Sequence, residues 1–111
     1  MAFLEKRGYR ILERNWQGTH GELDVVAEQG GVLCFVEIRS RARNAIGTGA
    51  ESVQGEKQRR VARTAREWLL RHRGEGRVCR FDVLGVTVPP AGAAGEPAFE
   101  LFQNAFEARD I

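Results

Sequence analysis

The stretch Glu22-Leu23-Asp24-Val25-Val26-Ala27-Glu28-Gln29-Gly30-Gly31-Val32-Leu33-Cys34-Phe35-Val36-Glu37-Ile38-Arg39 decides how this chain folds. Two runs rich in Val, Ile, Leu and Phe flank a Gly30-Gly31 pair, the signature of a hairpin closed by a two-residue turn. A turn centred on that pair fixes the register: partners across the hairpin have numbers that sum to 61, as 30 and 31 do. Asp24 then faces Glu37, and Glu22 faces Arg39. Directly opposed side chains hold their Cβ atoms about 4.5–5.5 Å apart, where like charges destabilise the pair. Asp24 against Glu37 therefore needs a reason, and a bound divalent cation supplies one. The spacing alone admits a second reading, an exposed hairpin in which Glu22 and Arg39 form a salt bridge and Asp24 is solvated.

Strand alternation puts Glu22, Asp24 and Val26 on one face, and Leu33, Phe35, Glu37 and Arg39 on one face of the partner strand. The register makes these the same side of the sheet. Carboxylates at the end of an otherwise apolar face are partly desolvated, a setting in which Mg²⁺ or Mn²⁺ takes oxygen ligands while keeping several waters. A cation there activates water for attack on a phosphodiester and neutralises charge in the transition state.

A chain of 111 residues, 42% hydrophobic and 29% charged, reads as one ordinary globular domain over residues 1–111. No run approaches the roughly 18 apolar residues of a membrane span, and Met1 to Arg10 lack a signal peptide's apolar stretch. The expectation is a cytoplasmic protein with no membrane partner. Cys34 and Cys79, each alone in an apolar run, read as buried free thiols. The net charge of +2 conceals an asymmetry. Arg39 to Arg80 holds twelve Lys or Arg against four Glu, while the remainder holds five basic against eleven acidic residues. A basic half beside an acidic cluster suits a nucleic-acid enzyme; a solvated arginine-rich helix face is the alternative.

Breakers and periodicity give the element order α-β-β-β-α-β-β, a mixed α/β sheet flanked by helices. The expected elements are a short helix over Met1–Arg7 and strands over Tyr9–Trp16, Glu22–Glu28 and Val32–Ser40. A glycine-bearing loop over Ala42–Gly49 precedes a helix from about Gly55 to His72, ended by Gly74 and Gly76. Strands over Cys79–Val88 and Phe99–Asn104 close the domain around a Pro-, Gly- and Ala-rich loop. Val61, Ala65, Trp68 and Leu69 form the inner stripe of the long helix.

The blocks Glu22 to Ala27 and Phe35-Val36-Glu37-Ile38-Arg39-Ser40-Arg41 resemble the signature of the YraN family, small bacterial proteins assigned to the PD-(D/E)XK nuclease superfamily and similar to archaeal Holliday junction resolvases. The resemblance extends over Gly8 to Trp16, Glu51-Ser52-Val53, Lys57-Gln58-Arg59-Arg60, Arg80-Phe81-Asp82-Val83 and Gln103-Asn104-Ala105-Phe106, nearly the whole chain. It implies a restriction-endonuclease-like fold with Asp24 and Glu37 on the two acidic metal ligands and Arg39 on the position of the superfamily's lysine. Two departures accompany it. The family usually carries a longer amino-terminal helix with a further acidic residue, and this chain begins after it. Lysine at the third position can orient or deprotonate water, whereas Arg39 stays protonated and offers only hydrogen bonds and charge.

The resulting expectation is a metal-dependent endonuclease acting on DNA, branched DNA included, with Mg²⁺ or Mn²⁺ as cofactor. Asp24, Glu37 and Arg39 form the catalytic set, with Glu22, Lys57 and Gln58 auxiliary and Arg41, Arg59, Arg60, Arg63 and Arg66 on the nucleic-acid backbone. The expected assemblies include a homodimer. The alternatives are a nucleic-acid-binding module that keeps the fold without catalysis and a protein-interaction subunit. His20 is a proton carrier only if it sits over the metal, His72 favours the helix dipole, Asp82 makes a structural hydrogen bond, and Trp16 and Trp68 belong to the core.

Overall fold

The computed structural model describes residues 1–42, 55–90 and 92–107. Its elements follow in the expected order: α1 (Ala2–Lys6), β1 (Arg10–Gln17), β2 (Glu22–Gln29), β3 (Val32–Ala42), α2 (Gly55–Arg71), β4 (Cys79–Val88) and β5 (Ala98–Phe106). The loop expected after Ala42 and the block Glu51-Ser52-Val53 lie outside the described residues, as does the side chain of Arg41.

The Gly30-Gly31 turn closes as the sequence requires, with φ of 55° and 81° that residues bearing a Cβ seldom adopt. Pairs from Val25↔Val36 to Gln29↔Val32 hold the register in which position numbers sum to 61. The strands lie in the order β1-β2-β3-β4-β5. β3 and β4 run parallel, a pairing that needs a crossover and receives one in α2, while the other neighbours are antiparallel.

Alternation then divides the core. Leu23, Val26, Leu33, Phe35, Phe81 and Val83 pack against Val61, Ala65, Trp68 and Leu69 of α2, so β2 departs from the expected alternation between Leu23 and Val26. Val25, Ala27, Cys34, Val36 and Leu84 point to the other face, where Leu4 of α1 and Tyr9 cover them. Among the described residues no helix is long and apolar enough to cross a membrane.

Local details depart from expectation for identifiable reasons. A β-bulge between Ile11 and Glu13 breaks the alternation of β1. Glu13, which strict alternation along the strand would put on the face of Tyr9 and Ile11, instead meets the indole N–H of Trp68 on α2 at 3.1 Å. β1 begins one residue later than read and β5 extends to Phe106. α2 stops at Arg71, where Arg73 takes the left-handed conformation (φ 54°) and the Gly74 N–H caps the Leu69 carbonyl at 2.8 Å. Of the two thiols, Cys34 is buried and Cys79 is half-buried at the start of its strand.

Candidate functional site

A cleft of about 320 Å³ lies at the end of the hairpin far from its glycine turn. Glu22, Asp24, Glu37 and Arg39 line it from the sheet, and Lys57, Arg60, Val61 and Thr64 line it from α2. The four α2 residues are spaced i, i+3, i+4, i+7, so one face of the helix forms the wall.

The two acids hold each other's strands. The Ile38 N–H donates to Asp24 Oδ2 at 2.8 Å, and the Asp24 N–H reaches Glu37 Oε2 at 3.5 Å. Asp24 is half-buried and Glu37 is 4% exposed. Burial pushes the Glu37 carboxyl up to about 7, and the neighbouring Asp24 charge adds to the rise. Arg39 works the other way, favouring the charged carboxylate. The guanidinium of Arg39 is itself incomplete: among the described residues its Nε and Nη2 are buried without a hydrogen-bond partner. Unmatched buried donors are costly, and an Arg nitrogen pair is the fork that grips a carboxylate or phosphate.

Glu22 sits at the exposed mouth, where it accepts from the Gln17 side chain rather than from Arg39. Lys57 and Arg60 face the carboxylates from α2. Arg59, Arg63 and Arg66 are exposed on other faces of the helix, and Arg59 pairs with Glu56 at 3.7 Å. Gln58 is half-buried and does not line the cleft. His20 is not over the carboxylates; it borders a separate depression with Arg63, Arg66 and Glu67.

The remaining polar candidates are structural. Asp82, fully buried, accepts from the Tyr9 hydroxyl at 2.7 Å, Arg80 Nε at 3.0 Å and the Asn104 N–H at 2.8 Å. His72 lies just past α2, stacked on Trp68, with Nε2 at 2.7 Å from Glu13 and Nδ1 at 2.8 Å from the Trp68 carbonyl. Gly21 and Thr64 belong to the cleft although nothing in the sequence singled them out. Thr64 is fully buried because its hydroxyl donates to the Arg60 carbonyl one turn back, at 2.9 Å.

Fold and cleft together define a small mixed α/β protein with paired carboxylates and, among the described residues, an unmatched arginine fork at one end of its sheet. The chain belongs to a family: residues 1–86 match the model of "Uncharacterised protein family UPF0102", in keeping with the YraN resemblance. A UPF0102 protein of Symbiobacterium thermophilum is 47% identical over 106 residues, 96% of this chain and 87% of the relative. One from Anaeromyxobacter sp. (strain Fw109-5) is 43% identical over 106 residues, 96% of this chain and 77% of the relative. One from Myxococcus xanthus is 48% identical over 86 residues, 78% of this chain and 68% of the relative.

Proposed function

We propose that this protein is a metal-dependent endonuclease acting on DNA, with branched DNA among its substrates. One observation carries the reading: a buried Glu37 beside Asp24 shares its cleft with an arginine whose Nε and Nη2 lack partners among the described residues. One oxygen of each carboxylate is engaged by a backbone N–H, which leaves the other for a cation. Among the described residues no group of three or more His, Cys, Asp and Glu is arranged to hold a metal. Two carboxylate oxygens completed by water suit Mg²⁺ or Mn²⁺ rather than a structural zinc. When bound, the cation supplies Lewis-acid charge at a phosphodiester and activates water.

The side chains of this protein do the rest. Asp24 and Glu37 would hold and orient the cation. Arg39 offers Nε and Nη2 to two phosphate oxygens at once, and Lys57 and Arg60 close the opposite wall with positive charge. Arg39 binds and orients but takes no proton, since a guanidinium stays charged. That same property favours a second reading, a nucleic-acid-binding module without catalysis.

Incubation with linear duplex and four-way-junction DNA in Mg²⁺ or Mn²⁺ tests the proposal. Cleavage by wild type that is lost in Asp24→Asn and Glu37→Gln, with DNA retention kept, is the expected result. Salt-sensitive retention without cleavage assigns the binding module, and neither retention nor cleavage removes both readings.

A further inference from the structure

The turn between β1 and β2 is fastened to α2 by one side chain. Glu67, 15% exposed, accepts from the Thr19 N–H through Oε1 at 2.7 Å and from the Thr19 hydroxyl through Oε2 at 2.9 Å. The turn itself is closed by the Gly18 N–H on the Gly21 carbonyl at 2.8 Å. It sits tightly on the helix: a Cβ at Gly18 would meet Glu67 Oε1 at 2.7 Å, and one at Gly21 would meet Thr64 Oγ1 at 3.4 Å. Consecutive residues of this fastened turn face two different hollows. Gly21 lines the carboxylate cleft, and His20 borders a depression of about 250 Å³ with Arg63, Arg66, Glu67 and Leu70.

The α2 residues of that depression repeat the spacing of the cleft wall six positions further on, about 9 Å along the axis and about 120° round it at the rise and pitch of an α-helix. One strand of duplex DNA carries a charge about every 3.4 Å along the duplex axis, so this offset spans one to three phosphates. Glu67 does not spoil the depression for an anion. Both its oxygens are engaged by Thr19, and Arg71 Nε neutralises it at 3.1 Å.

We propose that His20, Arg63 and Arg66 form a second phosphate subsite that takes a backbone phosphate one to three positions from the one in the carboxylate cleft, with Glu67 as the positioning residue that fixes the turn between them. The subsite rests on the nucleic-acid reading above, and it gives the strand a path over Gly21. It also gives Glu67 an unusual sign. Removing an acidic side chain from beside two arginines should tighten binding to a polyanion if only net charge counts. Removing the clamp that holds His20 in place weakens it.

The experiment measures four-way-junction affinity by fluorescence anisotropy in EDTA, with each phosphate flanking the branch point, which fixes the register, replaced in turn by an uncharged methylphosphonate. Wild type should show two positions, one to three phosphates apart, where neutralisation weakens binding about three- to fivefold, the range of a single exposed ionic contact. Arg63→Gln, at an exposed position, should erase the outer penalty, keep the inner one and lower the slope of log affinity against log salt by about 0.9. Glu67→Ala should weaken binding and erase the outer penalty, and Thr19→Val, which removes one of the two clamp bonds without changing charge, should do so in part. Two penalties that persist in Arg63→Gln, or tighter binding by Glu67→Ala, overturn the subsite. A single inner penalty in wild type removes the subsite and leaves the nucleic-acid reading standing. Wild type without salt-sensitive DNA binding removes both.

Discussion

Asp24 and Glu37 are each bonded to the strand that carries the other, through Ile38 N–H on Asp24 Oδ2 at 2.8 Å and Asp24 N–H toward Glu37 Oε2 at 3.5 Å. The ladder pairs that begin at Val25↔Val36 stop short of them, so the acids replace regular pairing at this end of the hairpin. Two carboxylates are thereby held together although both are negative, and the repulsion they retain makes the following outcomes measurable.

The first concerns pH. Glu37 titrates at about 7 in the fold against 4.5 ordinarily, so the native state keeps a proton that the unfolded chain has already released. Native protein then binds more protons than unfolded protein between pH 4.5 and 7, and stability falls as pH rises through that window. The cost is absent below it and complete above it, with a ceiling of about 3 kcal/mol from the size of the shift. Denaturant midpoints in EDTA should therefore be higher at pH 5 than at pH 8, and Glu37→Gln should flatten the difference. An equal slope in the variant would place the pH dependence elsewhere.

Asp24→Asn separates charge from geometry. Its amide oxygen can still accept from Ile38, while the repulsion on Glu37 disappears. Metal-free protein should gain roughly 1 kcal/mol, several degrees in thermal midpoint for a domain of this size. The rise that millimolar Mn²⁺ gives wild type by mass action should be lost. A variant less stable than wild type in EDTA would show that Asp24 holds the hairpin through its charge.

Arg39 tests the departure from lysine. Arg39→Lys should raise metal-dependent cleavage, or reveal it, with little change in DNA affinity, because an ammonium is compact and can tune water. Arg39→Ala should lower both. The comparison is made at one metal and salt concentration, since affinity is strongly salt-dependent. Better cleavage by wild type than by Arg39→Lys would mean that the planar fork has a role of its own.

The hairpin was legible because its information is local. Gly30-Gly31 specified the turn, the turn specified the register as far as Val25↔Val36, and alternation along β3 carried Glu37 and Arg39 to the face that α2 covers. On β2 alternation fails beyond Val25, since Leu23 joins Val26 in the α2-facing core, and Asp24 is held at the cleft by its bond to Ile38. The inner stripe of α2 was equally legible, since Val61, Ala65, Trp68 and Leu69 are all buried. What the sequence concealed depends on distant partners. Nothing near Thr19 announces Glu67, and nothing near Tyr9 announces Asp82. The bulge that turns Glu13 toward Trp68 has no turn residue to betray it. His20 was ambiguous for the same reason, because its place depends on how the turn is clamped rather than on its neighbours in the chain.

The Tyr9–Asp82 pair supplies a control away from the cleft. The Tyr9 hydroxyl donates to Asp82 and accepts from Arg80 Nη2 and Gln103 Nε2, each at 3.0 Å. Tyr9→Phe should cost about 1–3 kcal/mol by leaving buried polar groups short of a partner. Asp82→Ala should cost more, about 3–5 kcal/mol, because it strands the Arg80 charge as well. Neither should change metal affinity at the carboxylates. A loss of metal binding in Tyr9→Phe would tie the two sites together.

The carboxylate cleft as a divalent-cation site is tested most directly by anomalous diffraction from crystals soaked in Mn²⁺. The expected result is a peak between Asp24 and Glu37, at about 2.0–2.6 Å from one oxygen of each, that is absent from Asp24→Asn crystals soaked in the same way. Millimolar Mn²⁺ with no peak between these two carboxylates, in crystals where the cleft is open to solvent, would contradict it.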